Sequence, residues 1–396
     1  MSEERRDVVI GAGPAGLAAA AALRGHGRDP LVLERAEHVG ASWRSRYDVL
    51  RLNTARWWSG LPGLAIPKTF GTWVSAADYA RYLEQYAAHH RLDIRFGVTV
   101  DRIVRRGAAW AVKTGHEEIP ADNVVVATGY DRQPFVPAWP GADSFTGELL
   151  HASAYRNPTR FAGRSVLVVG GGNSAADIAV DLVRGGATRV WLSIRGAPQI
   201  VPRTVGGIPM QTAAVATRPL PAWVGDTIVR TVQRLVHGDL SAHGLPRPAT
   251  SVSQQFARAD VVPVIDVDFV HTVRRGEIDV VRAVHGFDRG EVLIADGRRL
   301  RPDALIAATG YRRGLEPLVG DFDVLDKKGR PSAKEVPGLY FIGYTNPLSG
   351  NLRELGHEAR AVARRIARSE PQPVTRPSPT DNPRLTSRRE RIDLTR

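Results

Sequence analysis

Two glycine-rich turns, each between an apolar strand and a helix, carry the residue types that bind pyrophosphate. The first turn, GAGPAG, occupies residues 11–16 and follows DVVI at 7–10. The second turn, GGGNSA, occupies residues 170–175 and follows VLVV at 166–169. Glycines leave backbone N–H groups bare and let a phosphate approach the positive end of the next helix. Two such turns predict two bound dinucleotides, a combination typical of flavin and nicotinamide chemistry.

An acidic residue at a strand end assigns the first turn to FAD. Glu34 follows the apolar strand at 30–33 and lies 23 residues after Gly11. A carboxylate in this position accepts hydrogen bonds from both hydroxyls of an adenosine ribose. The residues that we expect to contact FAD are Gly11, Gly13, Pro14, Ala15, Gly16, Glu34, Arg35, Trp43, Thr128, Gly129 and Gly343.

The second turn has a different strand end. The strand at 190–194 is followed by Arg195 and no carboxylate. A 2′-phosphate prefers a cation and a hydroxyl donor, whereas a 2′-hydroxyl prefers an acid, so this strand end favours NADPH over NADH. Alternatively, Arg195 is only a solvated surface arginine. The residues predicted to bind NADPH are Gly170, Gly172, Asn173, Ser174, Ala175, Ser193 and Arg195.

Composition excludes several functional classes. The net charge is +13, but the five lysines and 49 arginines are spread along the whole chain. This distribution argues against nucleic-acid binding, which requires a basic patch or stripe. The absence of cysteine excludes disulfide reduction through the chain's own thiols, and we expect no metal site. Because no apolar run is long enough to span a membrane and residues 1–6 lead directly into a strand, we expect a cytoplasmic protein.

The order of elements predicts an α/β fold with two Rossmann-like dinucleotide-binding domains, the second inserted into the first. Buried strands at 123–130 and 305–311 nearly repeat one another, as expected for two related halves. We assign residues 1–150 and 301–369 to a discontinuous FAD-binding domain and residues 151–300 to an NADPH-binding domain. Residues 370–396 have little apolar content and are predicted to form a disordered tail.

Several segments have expected roles around these domains. The aromatic segment 38–75 should wrap a cofactor or close a pocket. Ser75 and Asp78 predict a capping box for a helix over 76–89. A helix over 351–367 should direct its N-terminus at the flavin ring. The amphipathic helix over 222–236 could dock on a partner or a membrane surface, but it has few Lys or Arg, so its apolar side is expected to pack into the core or a substrate pocket.

A linking motif relates the chain to a known family. Residues 145–155, FTGELLHASAY, match the Phe-x-Gly-x-x-x-His-x-x-x-Tyr pattern of flavin-containing and Baeyer–Villiger monooxygenases. The ending in Tyr resembles the flavin-containing and N-hydroxylating branch. A closer resemblance is to YUCCA-type and related bacterial enzymes, and it rests on residues 47–52, 61–63, 262–267 and 274–278. The resemblance covers about residues 5 to 367.

The resemblance implies an FAD- and NADPH-dependent monooxygenase. In that family NADPH reduces FAD, the reduced flavin adds O2 to give a C4a-(hydro)peroxyflavin, and one oxygen atom enters a small organic substrate. Many YUCCA-like sequences have histidine where this chain has Asn53, which resembles an asparagine of the flavin-containing monooxygenases. Asn53 is therefore predicted to hydrogen-bond near the peroxide and the nicotinamide, or else to be a turn former. His151 is predicted to couple the two domains and not to act as an acid or base.

The substrate and the partners stay open at this level. The resemblance is compatible with N- or S-oxygenation, and equally with YUCCA-like oxidative decarboxylation of an α-keto acid. An NADPH oxidase or flavin reductase without oxygen insertion would share both nucleotide sites, although the motif at 145–155 argues against it. A non-enzymatic redox sensor is a third alternative, but such a protein would have no need of both nucleotide sites. The expected partners are a small-molecule substrate and O2, and the sequence leaves a homodimer open.

Overall fold

The computed structural model describes residues 6–259, 262–345, 347 and 349–368. The strands are β1 (Arg6–Ile10), β2 (Leu31–Leu33), β3 (Asp93–Arg95), β4 (Val100–Arg106), β5 (Ala109–Thr114), β6 (Glu118–Val126), β7 (Gln133–Pro134), β8 (Glu148–His151), β9 (Ser165–Val169), β10 (Arg189–Ser193), β11 (Ile200–Pro202), β12 (Thr204–Val205), β13 (Ile208–Pro209), β14 (Val264–Asp266), β15 (Ile278–Val281), β16 (Val284–Asp288), β17 (Glu291–Ile294), β18 (Arg299–Leu300), β19 (Ala304–Ala307), β20 (Tyr311–Arg312) and β21 (Leu339–Phe341). The α-helices are α1 (Pro14–Arg24), α2 (Ala41–Arg44), α3 (Arg56–Ser59), α4 (Ala76–His89), α5 (Asn173–Arg184), α6 (Met210–Thr217), α7 (Ala222–Val236), α8 (Val252–Ala259), α9 (Phe269–Arg274), α10 (Glu316–Val319) and α11 (Asn351–Arg368).

The first sheet brings the first glycine turn and Glu34 to one edge. Its strand order is β3-β2-β1-β6-β5-β4, and β21 pairs with β6. β1 runs parallel to both β2 and β6, with Ile10 opposite Leu33 and Val126. The residues that follow these three strands therefore meet at their carboxyl ends, where ligands bind in open α/β sheets.

The second sheet repeats this arrangement. Its order is β15-β10-β9-β19-β8, and every strand pair in it is parallel. Val169 lies opposite Ser193 and Ala307, and Ala307 lies opposite His151. The second glycine turn, Arg195 and the residues after His151 consequently share the carboxyl edge of this sheet.

The chain leaves the first sheet after β6 and returns to it only at β21, after the second sheet is complete. This path confirms the predicted α/β fold with one dinucleotide-binding unit inserted into the other. The predicted limits at 150 and 301 fall within β8 and just before β19, two strands that pair in the second sheet. The residue limits of the domains stay a prediction.

Small side chains let helix α1 pack closely in the first half. Leu17, Ala18 and Ala20 of α1 are fully buried, in one core with Leu355 and Ala359 of α11. This packing places α1 and α11 together against one face of the first sheet.

The capping box of α4 is confirmed. The Asp78 backbone N–H donates to Ser75 Oγ at 3.0 Å, and that hydroxyl donates to the Asp78 carboxylate at 2.7 Å. The helix spans Ala76–His89, as predicted. The helix predicted over 351–367 is also confirmed. α11 begins at Asn351, as predicted, and ends one residue later than predicted, at Arg368.

The expected burial of α7 is wrong. The bounds of the helix are those predicted, but Trp223 is 67% exposed and Leu235 is 81% exposed. The helix lies outside both sheets and is tied to β11 by a polar bond from Gln233 to the Ile200 carbonyl. An amphipathic period predicts an apolar side but not which element covers it.

The predicted tail at 370–396 lies outside the described residues, and no described helix is both long and apolar enough to cross a membrane.

Candidate functional site

A cavity of about 550 Å³ runs along the carboxyl edge of the first sheet. It extends to Ser153, Ser174 and Tyr311, which follow β8, β9 and β19 of the second sheet. The predicted cofactor residues that line it are Gly11, Gly13, Pro14, Ala15, Glu34, Arg35, Trp43, Thr128, Gly129, Ser174 and Gly343. The aromatic segment contributes residues 41–43 and 45–47, so part of it closes this pocket.

The first turn has the close packing that a pyrophosphate cradle requires. A Cβ on Gly16 would lie 1.8 Å from the Gly11 carbonyl oxygen, and a Cβ on Gly11 would lie 2.7 Å from the Ala127 oxygen. A Cβ on Gly13 would meet no described atom within 4 Å, which leaves open space beside the N-terminus of α1. The third glycine thus serves helix packing, and the second keeps the approach free for phosphate. These residues fit FAD.

Glu34 is held in place by the turn that it faces. Its Oε2 accepts from the Ala12 backbone N–H at 2.7 Å, and its Oε1 accepts from the Ala36 N–H at 2.9 Å. Each carboxylate oxygen has two lone pairs, so one on each remains for a ribose hydroxyl. The carboxylate is pre-oriented at the cavity wall.

The far end of the cavity is formed by α11 and the turn before it. Asn351 and Leu352 line it, so the positive end of an eighteen-residue helix points into the space. Gly343 donates its backbone N–H to Glu358 of α11 at 2.8 Å, and its φ of +86° requires glycine. This contact fixes the Gly343 turn against the helix.

The second turn is built like the first. A Cβ on Gly170 would lie 2.3 Å from the Ala308 oxygen, whereas a Cβ on Gly172 would meet no described atom. Ala175 is buried where a third glycine would stand. Asn173 is used structurally, because its Oδ1 accepts from the Ile265 N–H at 2.8 Å and its Nδ2 donates to the Pro263 carbonyl at 3.0 Å. The turn fits the pyrophosphate of a nicotinamide dinucleotide.

The two residues predicted for the 2′-phosphate differ in their surroundings. Ser193 is 1% exposed, and its hydroxyl donates to the Arg282 carbonyl at 2.8 Å, an arrangement that does not favour contact with a phosphate. Arg195 is exposed and makes no side-chain hydrogen bond or ion pair with any residue that the structure describes. Arg195 is therefore an available cation at this strand end.

Asn53 is half-buried beside the α11 end of the cavity. The described residues that line the cavity do not include it. The next residue, Thr54, places its methyl 3.0 Å from where a Cβ on Gly350 would stand, immediately before α11. Asn53 thus lies on a segment packed against the helix end, and its contact with a reacting group stays a prediction.

His151 is buried in one neutral form. Its Nδ1 accepts from the Ser153 backbone N–H at 3.0 Å, so the proton lies on Nε2, which donates to the Gly310 carbonyl at 3.0 Å. Burial lowers the pKa of His151 and stabilises this neutral state. The ring packs edge-to-face on Tyr311 at 4.9 Å. These contacts support a coupling role and leave neither nitrogen free for acid–base chemistry.

Sequence reasoning missed a polar network that joins the residues following the first sheet to those following the second. Arg46 donates to Asp131 at 2.7 Å and to the Tyr311 hydroxyl at 3.2 Å, and all three residues line the cavity. Tyr47 donates its hydroxyl to Asp177 of α5 at 2.8 Å. No local pattern marks the Arg46 network, since its members are far apart in the chain. The resemblance over residues 47–52 was the available signal for Tyr47.

Comparisons with known proteins agree with this architecture. Residues 8–203 match a family model described as pyridine nucleotide-disulphide oxidoreductase. The solved structure of a flavin-containing monooxygenase from Stenotrophomonas maltophilia superimposes with a TM-score of 0.69 at 24% identity, over 91% of this chain and 97% of that one. Cyclohexanone monooxygenase superimposes with a TM-score of 0.69 at 18% identity, over 91% and 87% of the two chains. At these identities the structures establish the shared fold.

Sequence relatives establish the family. Indole-3-pyruvate monooxygenase YUCCA1 of Oryza sativa subsp. japonica is 36% identical over 365 residues, which cover 87% of this chain and 89% of the relative. Probable indole-3-pyruvate monooxygenase YUCCA3 of Arabidopsis thaliana is 32% identical over 357 residues, or 85% and 82% of the two chains. The two nucleotide turns belong to an enzyme that uses FAD and NADPH. The comparisons do not favour an oxidase that inserts no oxygen. The chain belongs to the YUCCA-type family of flavin-dependent monooxygenases.

Proposed function

We propose that the enzyme oxygenates an α-keto acid with an aromatic side chain and releases CO2. The observation that carries this proposal is the 36% identity to an indole-3-pyruvate monooxygenase over 89% of that relative's length. The balanced reaction is α-keto acid, O2, NADPH and H⁺ giving the acid shorter by one carbon, CO2, NADP⁺ and water. One oxygen atom enters the acid, and the other leaves as water.

The chain's residues supply binding, orientation and protection from water. When bound, NADPH supplies the hydride and FAD supplies the chemistry that activates O2. Glu34 would hold the FAD ribose, and Arg195 would pair with the 2′-phosphate of NADPH. The N-terminus of α11 stabilises negative charge at its end of the cavity. The Asn53 amide would donate a hydrogen bond to the oxygen-bearing reactants, and the Arg46–Asp131–Tyr311 network would fix the cavity wall around them.

The test is product analysis under ¹⁸O2. Purified holoenzyme with NADPH is given indole-3-pyruvate or phenylpyruvate, and in parallel methyl phenyl sulfide and dimethylbenzylamine. We expect the shortened acid to carry one ¹⁸O atom. The amount of CO2 should equal the amount of NADPH oxidised minus the amount of hydrogen peroxide released. Keto acids also decarboxylate with free hydrogen peroxide, and peroxide formed from ¹⁸O2 carries the same label. Catalase is therefore included in a parallel reaction, and the labelled acid that still forms in its presence decides.

Two outcomes would contradict the proposal. Sulfoxide or N-oxide formation without turnover of either keto acid would assign the enzyme to soft nucleophiles. NADPH oxidation that yields only peroxide with all four compounds would exclude this substrate class.

The expected cytoplasmic location and a homodimer stay proposals, which cell fractionation and light scattering after size-exclusion chromatography would test.

A further inference from the structure

Helix α6 places one glutamine between two distant segments of the first half. Gln211 Oε1 accepts from the Ala55 backbone N–H at 3.0 Å. Gln211 Nε2 donates to the Ser349 carbonyl at 2.8 Å. The oxygen of this amide binds one segment and its nitrogen binds the other, so a single planar group links the two segments.

The packing around the bridge leaves little freedom. A Cβ on Gly350 would lie 2.7 Å from Gln211 Nε2 and 3.0 Å from the Thr54 methyl. Gly350 itself has a φ of +106°, which only glycine adopts readily. The two segments are therefore held apart by the width of the Gln211 amide group and its two hydrogen bonds.

Both bridged segments lie beside the α11 end of the flavin cavity. Ala55 follows Asn53 by two residues. Ser349 lies two residues before the start of α11, whose Asn351 and Leu352 line the cavity. Moving either segment would change the distance between the Asn53 amide and the positive end of α11.

A second contact holds α6 against the same helix. Arg218, which follows α6, donates to both carboxylate oxygens of Glu354 in the first turn of α11, at 2.8 and 3.3 Å. The Glu354 side chain is only 12% exposed, so this two-point pair is partly desolvated and directional. α6 is thus fixed to the first turn of α11 through Arg218 and to the segment before α11 through Gln211.

We propose that Gln211 is a positioning residue that sets the geometry of the oxygen-reacting end of the site. The inference rests on the role proposed for Asn53 and is independent of the identity of the organic substrate. A displacement of about 1 Å in such a group costs on the order of 100-fold in rate, and it also admits water. The quantity that Gln211 controls is thus how long the reduced, oxygenated enzyme persists before it releases peroxide.

Three variants of the holoenzyme test this role. Gln211→Met keeps the side-chain length and removes both hydrogen bonds. Gln211→Glu keeps the acceptor for Ala55 but places negative charge against the Ser349 carbonyl. The matched control is Gln233→Ala, because Gln233 of α7 also bonds two acceptors, Gln199 Oε1 and the Ile200 carbonyl, each at 2.9 Å.

Each variant is reduced anaerobically with NADPH and then mixed with oxygenated buffer, with no organic substrate present. We expect Gln211→Met and Gln211→Glu to release peroxide and regain the oxidised flavin spectrum about tenfold faster or more. The anaerobic reduction rate and the flavin content should stay within about twofold of the unmodified enzyme, because the bridge lies away from the Glu34 and Arg195 ends of the site. A purely structural role would change flavin content and thermal midpoint and leave peroxide release per bound flavin unaltered.

Unchanged peroxide release in both Gln211 variants would overturn the inference. An equal acceleration in Gln233→Ala would overturn it as well, because the effect would then belong to the whole helical segment. If Gln211→Met does not retain FAD, the rate of peroxide release from Gln211→Glu decides alone, since that variant keeps the bond to Ala55. Failure of the keto-acid proposal would not affect this assay, which contains no keto acid.

Discussion

The Tyr47 hydroxyl lies 2.8 Å from Oδ2 of Asp177 and ties the wall of the flavin cavity to helix α5 of the other half. One turn further along α5, the Tyr155 hydroxyl donates to Asp181 at 2.7 Å. The two tyrosine rings also pack edge-to-face at 6.4 Å. Ser174, in the first turn of α5, interacts with the same Tyr47 hydroxyl and lines the cavity. Tyr47 therefore lies between the residues assigned to FAD and those assigned to NADPH.

The Tyr47–Asp177 pair predicts a pH-dependent stability. Burial raises the pKa of the Asp177 carboxyl above its ordinary value, against the opposing hydrogen bond from Tyr47 and the charge of Arg203. The folded protein therefore binds this proton more tightly than the unfolded chain does. The free energy of unfolding should fall as pH rises from about 4, the unfolded pKa, through the raised value.

Two substitutions separate the charge of Asp177 from its hydrogen bond. Asp177→Asn keeps an acceptor for Tyr47 and removes the buried charge, so we expect a higher thermal midpoint at pH 7 and a smaller loss of stability above pH 4. Tyr47→Phe leaves the carboxylate without its donor and should destabilise the fold by about 1–3 kcal/mol at pH 7. Thermal unfolding across pH measures both. A lower midpoint for Asp177→Asn at pH 7 would contradict the assignment.

Arg195 predicts the choice between NADPH and NADH. Arg195→Ala should raise the Kd for NADPH by about 10- to 100-fold, since a hydrogen bond to a charged group contributes about 1.5–3 kcal/mol. The affinity for NADH should change little, because NADH lacks the 2′-phosphate. Binding is measured by titrating the holoenzyme under anaerobic conditions. Arg189→Ala, at the other end of β10, is the control and should bind both nucleotides normally. Equal losses for both nucleotides in Arg195→Ala would exclude the 2′-phosphate role.

The glycines of the first turn predict which substitutions abolish flavin binding. Gly16→Ala would place its Cβ 1.8 Å from the Gly11 carbonyl oxygen and force α1 away from the turn, so we expect colourless protein of reduced stability. Gly13→Ala meets no described atom and should fold, yet its methyl would obstruct the phosphate and weaken FAD binding. The absorbance ratio of flavin to protein measures both. Gly115→Ala, in an exposed turn with open space at its Cβ, should stay yellow. Full flavin content in Gly16→Ala would refute the FAD assignment.

Asn53 predicts a separation of reduction from oxygen use. Asn53→Ala should be reduced by NADPH at close to the normal rate and release about tenfold more peroxide per NADPH, because its amide acts after hydride transfer. Peroxide and NADPH are measured together during turnover. Asn157→Ala removes an exposed amide that bonds Asp48 and should leave this ratio unaltered. An unaltered ratio in Asn53→Ala would remove Asn53 from the site.

The two glycine turns that are proposed to bind nucleotides could be predicted because such turns impose local spacing. The turns at 11–16 and 170–175 need glycines at fixed offsets from a strand and a helix, and both form as expected. Glu34 was equally predictable, since the first βα unit fixes the distance from the turn to the end of the next strand. The capping box of α4 depends only on Ser75 and Asp78, three residues apart.

The contacts between the halves follow a different rule. Three of these hydrogen bonds join residues more than a hundred positions apart: Arg46 to Tyr311, Tyr47 to Asp177 and Gln211 to Ser349. No hydrophobic period or motif spacing in the sequence predicts them. Ser193 shows the same limit, because only the course of the chain near Arg282 shows where its hydroxyl points. Local chemistry thus specifies what each half binds. How the halves face one another depends on packing and desolvation across the whole chain, and these set the polar partners around the cavity.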